Sequence, residues 1–489
     1  MVSEWSTDTP SEETQSPVQE RELLRQRLSR RRLLKAGAVA AIGAAGMGLA
    51  ACGEEEGTAP PTAATAPAAA TASPGPIGSP APGSSSIVSL AGNPQAIAEV
   101  APGTIFFPYF GNVIALLTDE GIILVDTSLA PNGEQIVQEL RKRTDLPVHT
   151  IVYTHGHLDH VGGTEYFLKD ADERGYERPR IFSHENVIPR FQRYERMAGW
   201  IQFINSVQFG VPIEPGFVPS PGPVFVYPDT TYDDRITIEV GGEPFELIHG
   251  IGETDDHTWV WSPERSLVCA GDFFIWACPN VGNPWKVQRY ARGWAEGLEA
   301  IAEKRPALLL PGHGPPIEGE DNVQIACLDV ARYLRSIDDQ VVERMNKGQW
   351  LEQILREVEP PADLVDKPYL QPIYGHPQFI IQGVWRQYGG WYDGDPADFF
   401  AAATADQAAE IVKLAGAQNI LARARELEAA GELPSACHLI DWVRKAEPEN
   451  RDAWQAWREI FQARADKEVN MMARNTFRGA VREAERHLG

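Results

Sequence analysis

Cysteine is scarce in this 489-residue chain, with five residues in all, and no two of them stand in a Cys-x-x-Cys spacing. That absence excludes a zinc ribbon, a thioredoxin-like redox motif and a small fold stapled by disulfides. Cys269 and Cys278 could pair in an oxidising compartment, but buried free thiols fit them equally well. Positive charge is also in short supply: 44 Lys and Arg stand against 68 Asp and Glu, a formal net charge of −24. Phosphate backbones need clustered Lys and Arg, so no nucleic-acid partner is expected. An anionic small molecule would need cations placed locally at its site. Long hydrophobic runs are missing too. The small, apolar stretch from Ala36 to Ala51 is too short and too rich in Gly and Ala for a spanning helix, which needs about 20 residues.

That stretch follows Ser29-Arg30-Arg31-Arg32-Leu33-Leu34-Lys35, which fits a twin-arginine export signal. It ends in Leu49-Ala50-Ala51-Cys52, which resembles a bacterial lipobox. Residues 1–52 are therefore expected to be a twin-arginine/lipoprotein signal, with the mature protein extracytoplasmic and held to a membrane by lipid at Cys52. Residues 53–86 are dominated by Ala, Pro, Thr, Ser and Gly and hold almost no large apolar side chain. They cannot bury enough surface to offset their ordering entropy, so they read as a disordered tether.

What is present is concentrated chemistry. His155-Gly156-His157-Leu158-Asp159-His160 places four metal-ligand side chains within six residues, just after the strand-like run Thr150-Ile151-Val152-Tyr153-Thr154. Imidazole nitrogen and carboxylate oxygen are the donors that borderline divalent cations such as zinc prefer. His155 and His157, two apart on extended backbone, can grip one metal from the same side. Asp159 and His160 would grip a second metal close by.

The hexapeptide resembles the His-x-His-x-Asp-His signature of the metallo-β-lactamase superfamily. Gly121 to Thr127 is similar to that family's buried strand, whose closing Asp, here Asp126, supports the metal loop. Cys269-Ala270-Gly271-Asp272 is similar to the stretch whose carboxylate bridges two metals, and Pro311-Gly312-His313-Gly314 to the last ligand motif. Where many superfamily hydrolases carry Gly-His-Thr, this chain reads Gly252-Glu253-Thr254, and the alkyl sulfatases of the superfamily resemble it in using Glu there. Gly383 to Ala397, three aromatics around a Gly pair and an Asp-Gly turn, looks like the opening of the alkyl sulfatase dimerisation domain.

The resemblance implies an α/β fold: an αβ/βα metallo-β-lactamase sandwich over residues 87–321, then an all-α, tetratricopeptide-like dimerisation domain over 322–489. It implies two zinc ions, one on His155, His157 and Glu253, the other on Asp159, His160 and His313, with Asp272 between them. Asp255 and Asp256 stay open as alternatives to Glu253, with a solvated acidic turn as their plainer reading. A hydroxide held by such metals is a nucleophile without any Ser or Cys. The expected substrate is a small-molecule sulfate ester of an alkyl chain, and the expected assembly a homodimer. Asp159, Asn280 and Arg289 are expected to take part in catalysis. Asn280, Asn283, Lys286, Arg289 and Arg292 are candidates to meet the non-bridging sulfate oxygens, although this loop holds no His to protonate a leaving alkoxide. Arg190, Arg193 and Tyr194 form a second basic cluster. His184, His249 and His257 are more simply packed or solvated than ligands, His257 being the best exception. Trp200 to Pro219 is either core or the wall of an alkyl pocket. Hydrolysis of a phosphoester or lactone on the same fold is the nearest alternative, and a non-catalytic surface binding lipoprotein is the alternative of another class.

Punctuation supports the layout. Strands are expected at 104–109, 112–118, 121–126, 236–240, 245–248, 258–261, 267–270 and 308–310, and helices near 132–143 and 294–304. Five amphipathic helices follow Pro396, near 404–415, 417–430, 433–446, 450–464 and 467–487.

Overall fold

Alternation along one strand shows how the layers arise. In Gly121–Val125, Ile122 and Leu124 cluster with helix residues Ile136, Leu140 and Phe167. Ile123 and Val125 cluster instead with Phe245, Leu247 and Val260 of another sheet. Successive side chains leave a strand on opposite faces, so an unbroken apolar run buries both. Each such side chain contributes roughly 2 kcal/mol of burial.

The computed structural model describes Leu90, residues 92–214, 216–220 and 222–489. The expected signal, lipid-bearing Cys52 and tether lie outside the described residues. The first sheet has seven strands in sequence order: β1 (Ala98–Ala101), β2 (Thr104–Phe107), β3 (Val113–Thr118), β4 (Gly121–Val125), β5 (Val148–Val152), β6 (Arg180–His184) and β7 (Thr230–Tyr232). Pairing is antiparallel through β4 and parallel from β4 to β7. The second sheet comprises β8 (Arg235–Val240), β9 (Glu243–Gly250), β10 (His257–Ser262), β11 (Leu267–Ile275), β12 (Leu308–His313) and β13 (Ile317–Glu318), in the order β13-β12-β11-β10-β9-β8. Only β11 and β12 are parallel there.

On the first sheet lie α1 (Ala130–Arg141), α2 (Leu158–Val161), α3 (Thr164–Arg174), α4 (Val187–Arg196) and α5 (Ala198–Phe209). On the second lie α6 (Ala291–Glu303), α7 (Glu320–Asn346), α8 (Leu351–Glu357) and α9 (Pro377–Tyr388), whose Trp294, Leu298, Tyr333, Ile380 and Val384 share a core with Trp259 and Phe273. This is an αβ/βα sandwich. A separate core is built by α10 (Thr404–Ala415), α11 (Ala417–Ala429), α12 (Leu433–Ala446), α13 (Arg451–Lys467) and α14 (Met471–Leu488).

These last five helices lie close to where amphipathic spacing puts them. Of Gly383 to Ala397, the segment that resembles the opening of the dimerisation domain, Gly383 to Tyr388 finishes α9, and Gly383 packs on Gly282 so closely that a Cβ would stand 2.8 Å from it. Trp200, Phe203 and Phe217 form neither core nor closed pocket. They are 50%, 36% and 38% exposed and form a surface cluster on α5 and the segment after it, Trp200 stacked on Phe203 and Phe203 edge to face with Phe217. Cys269, Cys278, Cys327 and Cys437 are all buried free thiols.

Candidate metal centre

The ligand residues gather where parallel strands end, the usual place for a site in such sheets. His155 and His157 follow β5, Asp159 and His160 lie in the single turn α2, Asp272 lies in β11, and His313 closes β12. Glu253 comes from the segment between β9 and β10. Two donor groups result: His155, His157, Glu253 and Asp272, and Asp159, His160 and His313, the donor atoms within each lying inside 4.8 Å of one another. Asp272 faces both. Its Oδ2 is 3.9 Å from His155 Nε2, while its Oδ1 is 3.3 Å from His160 Nε2 and 3.5 Å from His313 Nε2. The backbone makes room for this carboxylate: a Cβ on Gly312 would stand 2.1 Å from Asp272 Oδ1.

Three buried atoms in the cluster have no hydrogen-bond partner: His160 Nε2, Glu253 Oε2 and Asp272 Oδ1. Buried polar atoms are almost always satisfied, so orphans aimed at one another mark a place for cations. Electrostatics agree. Burial, with His160 and His157 beside it, holds His155 well below the usual imidazole range, in the neutral form that ligates. Against the effect of burial, Asp272, Asp126 and Asp159 hold His160 well above that range, and Asp272 and Asp159 lift His313 to about 10. A cluster that traps protons in this way has negative charge to share with metal. The donor set fits two borderline divalent ions.

Supports surround the donors. Asp126 accepts from Thr154 N and Thr154 Oγ1, each at 2.7 Å, and pairs with His160 Nδ1 at 2.7 Å, which leaves His160 Nε2 for the centre. It does so from a left-handed backbone, φ 63°, just past the end of β4. Glu253 Oε1 takes Asn280 Nδ2 at 3.1 Å and the guanidinium of Arg289, so only Oε2 is free, 3.4 Å from His157 Nδ1. The structure thus places Asn280 and Arg289 directly on a ligand residue.

The remaining candidates separate. Asp255 and Asp256 are not in the donor groups; Asp256 is buried, while Asp255 stays half exposed. Both pair with the buried Arg190, and Asp256 Oδ2 also accepts from Gly156 N at 3.0 Å, bracing the metal loop. His257 stays outside the donor groups as well, stacked on His155 with ring centres 4.9 Å apart and accepting from Asp272 N at 3.0 Å. Burial pulls it down to about 3, so it packs as a neutral ring. His184 and His249 stack on each other at 3.6 Å. Arg292 turns away to Asp338 and Asp339 on α7. Asn283 reaches Asn280 Oδ1 at 3.4 Å, and Lys286 is held by Asn205.

Sequence reasoning missed Asn205 and Gln208 on α5, Tyr374 before α9, and Asn475 on α14. Gln208 Nε2 donates to Tyr374 Oη at 2.8 Å, and Asn283 Nδ2 donates to Gln208 Oε1 at 3.2 Å. Burial and the nearby Glu253 carboxylate push the Tyr374 phenol above its ordinary range. No local pattern marks these residues.

The metallo-beta-lactamase superfamily pattern matches residues 107–313, and that of alkyl sulfatase dimerisation matches residues 351–487. With both matches in that order, the chain is an alkyl sulfatase-like protein of metallo-β-lactamase fold. The dimerisation match begins at residue 351, upstream of Gly383. A linear primary-alkylsulfatase of a Pseudomonas species is 24% identical over 388 residues, 76% of this chain and 73% of that protein. An (R)-specific secondary-alkylsulfatase of a Pseudomonas species is 25% identical over 391 residues, 75% of this chain but 58% of that protein. The solved structure of the stereoselective inverting sec-alkylsulfatase Pisa1 from Pseudomonas sp. superposes with a TM-score of 0.71 at 21% identity, covering 79% of this chain and 65% of the other. At that identity the likeness shows a shared fold.

Proposed function

We propose that the chain is a hydrolase of alkyl sulfate esters that uses two zinc ions. The observation carrying this reading is the seven-residue donor set in two groups, with Asp272 facing both and with Glu253 where many superfamily hydrolases have His. The names of the related proteins support the sulfate ester. His155, His157 and Glu253 would hold one ion, Asp159, His160 and His313 the other, and Asp272 both. Such ions, when bound, supply Lewis acidity that activates water and stabilises developing charge.

The chain's own residues do the rest. Asp126 sets the His160 tautomer by accepting a hydrogen bond from its Nδ1. Arg289 and Asn280 hold Glu253 so that one oxygen faces inward. Arg190, through Asp256, fixes the backbone at Gly156 between two ligand histidines. We further assign export by the twin-arginine route, a lipid anchor at Cys52 and a homodimer. These rest on the motifs at Ser29–Lys35 and Leu49–Cys52 and on the dimerisation match. A Cys52→Ala chain that stays in the membrane fraction, or a monomer by sedimentation, would overturn the respective assignment.

The test of the activity is hydrolysis of sulfate, phosphate and carboxylate esters matched in alkyl chain, with free sulfate assayed directly. Zinc-dependent sulfate release that rises with chain length is the expected result. Turnover of the other esters alone would move the enzyme elsewhere in the superfamily.

A further inference from the structure

Of the cationic side chains singled out from the sequence, three are already neutralised. Arg190 pairs with Asp255 and Asp256, Arg289 with Glu253, and Arg292 with Asp338 and Asp339. Arg193 lies over the Tyr194 ring, 5.3 Å from its centre. Lys286 is different. Its Nζ bonds Asn205 Oδ1, a neutral carbonyl, and no carboxylate among the described residues pairs with it.

A lysine with only a structural role normally runs its stem along apolar surface and leaves its ammonium in water. This one is half-buried on the same loop as Asn280, Asn283 and Arg289, with its Nζ tied to Asn205 of α5. It lies within electrostatic reach of Arg289, of Glu253 and Asp159 (one carboxylate from each donor group) and of Arg193. Burial, with Arg289 and Arg193 beside it, pulls its ammonium down to about 7 against the pull of those carboxylates. A partly desolvated cation among other cations is costly unless an anion joins it.

We propose that Lys286 is the anion-recognising residue of this site. Its ammonium meets the negatively charged group of the ester and makes the site choose anionic esters over neutral ones. Asn205 is the positioning residue, since it holds the ammonium from α5. The inference rests on the reading of the site as an ester hydrolase, and it adds the group that selects the charge of the substrate. It also answers the acidity of the chain, for an anion approaching a protein of net charge −24 needs a cation with no carboxylate of its own.

The probe is inorganic sulfate, with the zinc-loaded full chain compared with Lys286→Met and Lys286→Arg. Sulfate binding is read by calorimetry and by competitive inhibition, and metal content is measured in each variant. Losing one charge-assisted contact should weaken sulfate binding by about tenfold or more in Lys286→Met. The KM for an alkyl sulfate should rise by a similar factor with kcat moving less, and the preference for anionic over neutral esters should shrink. Lys286→Arg should stay within a few-fold of the parent. Undiminished sulfate affinity and KM in a Lys286→Met protein that keeps its metals would overturn the proposal. If Lys286→Met fails to fold, Lys286→Gln, neutral and of similar length, is read in the same way. Should the parent chain cleave no sulfate ester yet bind sulfate through Lys286, the substrate reading fails and the anion site stands.

Discussion

The side-chain amide of Asn475 donates to the main-chain carbonyl of Gln208 at 2.9 Å across 267 residues of sequence. From there a line of amides runs inward. Gln208 Oε1 takes Asn283 Nδ2, Asn283 Nδ2 reaches Asn280 Oδ1, and Asn280 Nδ2 holds Glu253 Oε1. The last helix of the chain therefore touches the ligand set through four side chains, and α14 is part of the scaffold of the site.

Asn475→Ala should consequently reduce activity without removing metal. A buried carbonyl left without its donor costs about 1–3 kcal/mol, to be read by urea denaturation. A fall in kcat of several-fold is expected, and a larger one for Gln208→Ala. Parental kcat in both variants would cut this line out of the mechanism.

Asp126 accepts two donors from Thr154 and pairs with His160 in a fully enclosed position. Asp126→Asn puts an NH2 where donors already point, so His160 loses its orientation. Supports of this kind typically govern metal affinity by about 10–100-fold. A zinc titration against a chromophoric chelator should show one of two sites weakened; two unaltered sites would refute the role.

Ligand removal should divide the two groups. His157→Ala touches only the first group, so metal content should fall from two towards one, with hydrolysis abolished and the fold intact. Asp272→Ala touches both groups and should lower both. Chelator treatment of the parent should abolish turnover, and added zinc should restore it. Undiminished activity of His157→Ala would sink the metal assignment.

Arg190 is the counter-ion of the buried Asp256. Arg190→Met leaves that carboxylate uncompensated, at a cost of about 3–5 kcal/mol near neutral pH. Arg190 holds the Asp256 carboxyl below its usual range in spite of burial. Its stabilising contribution is therefore present above about pH 4 and lost as pH falls through the folded-state value. In the variant, protonation of Asp256 relieves the cost, so the stability gap from the parent should narrow in acid. A gap that stays constant from pH 7 to 4 would contradict the pairing.

The thiols should be silent in the native state. Burial pushes Cys278 and Cys327 up to about 12 and Cys269 higher still. Only thiolate reacts with iodoacetamide, so none of the three should be labelled at pH 8 until denaturant is added. Rapid native labelling of any of them would show that its burial is wrongly placed.

The layers, and the seven side chains that the structure gathers into two groups, could be picked out from the chain because each is written locally. An unbroken apolar run defines β4, helical spacing defines α10 to α14, and the His-Gly-His-Leu-Asp-His run carries its metal-binding residue types in six adjacent positions. Glu253, Asp272 and His313 stand out because few residue types bind zinc and each lies in or just after an apolar strand. Asp255 and Asp256 could not be resolved in that way. Beside Glu253 they look like spare ligands or a solvated turn, and only folding brings them Arg190 from a helix 65 residues upstream.

What the sequence determined by itself was the kind of chemistry, since donor identity is a property of side chains. What only the tertiary structure decided was which charges remain free. Lys286, Arg289 and Arg292 lie within seven positions of one another, the first two on a loop and the last on α6, and carry the same formal charge. One pairs with Glu253, one with α7, and one is held by Asn205 without a carboxylate. Coulomb energy depends on the distance and burial of partners far apart in the chain, and those are set only when the two sheets and α14 close around the loop.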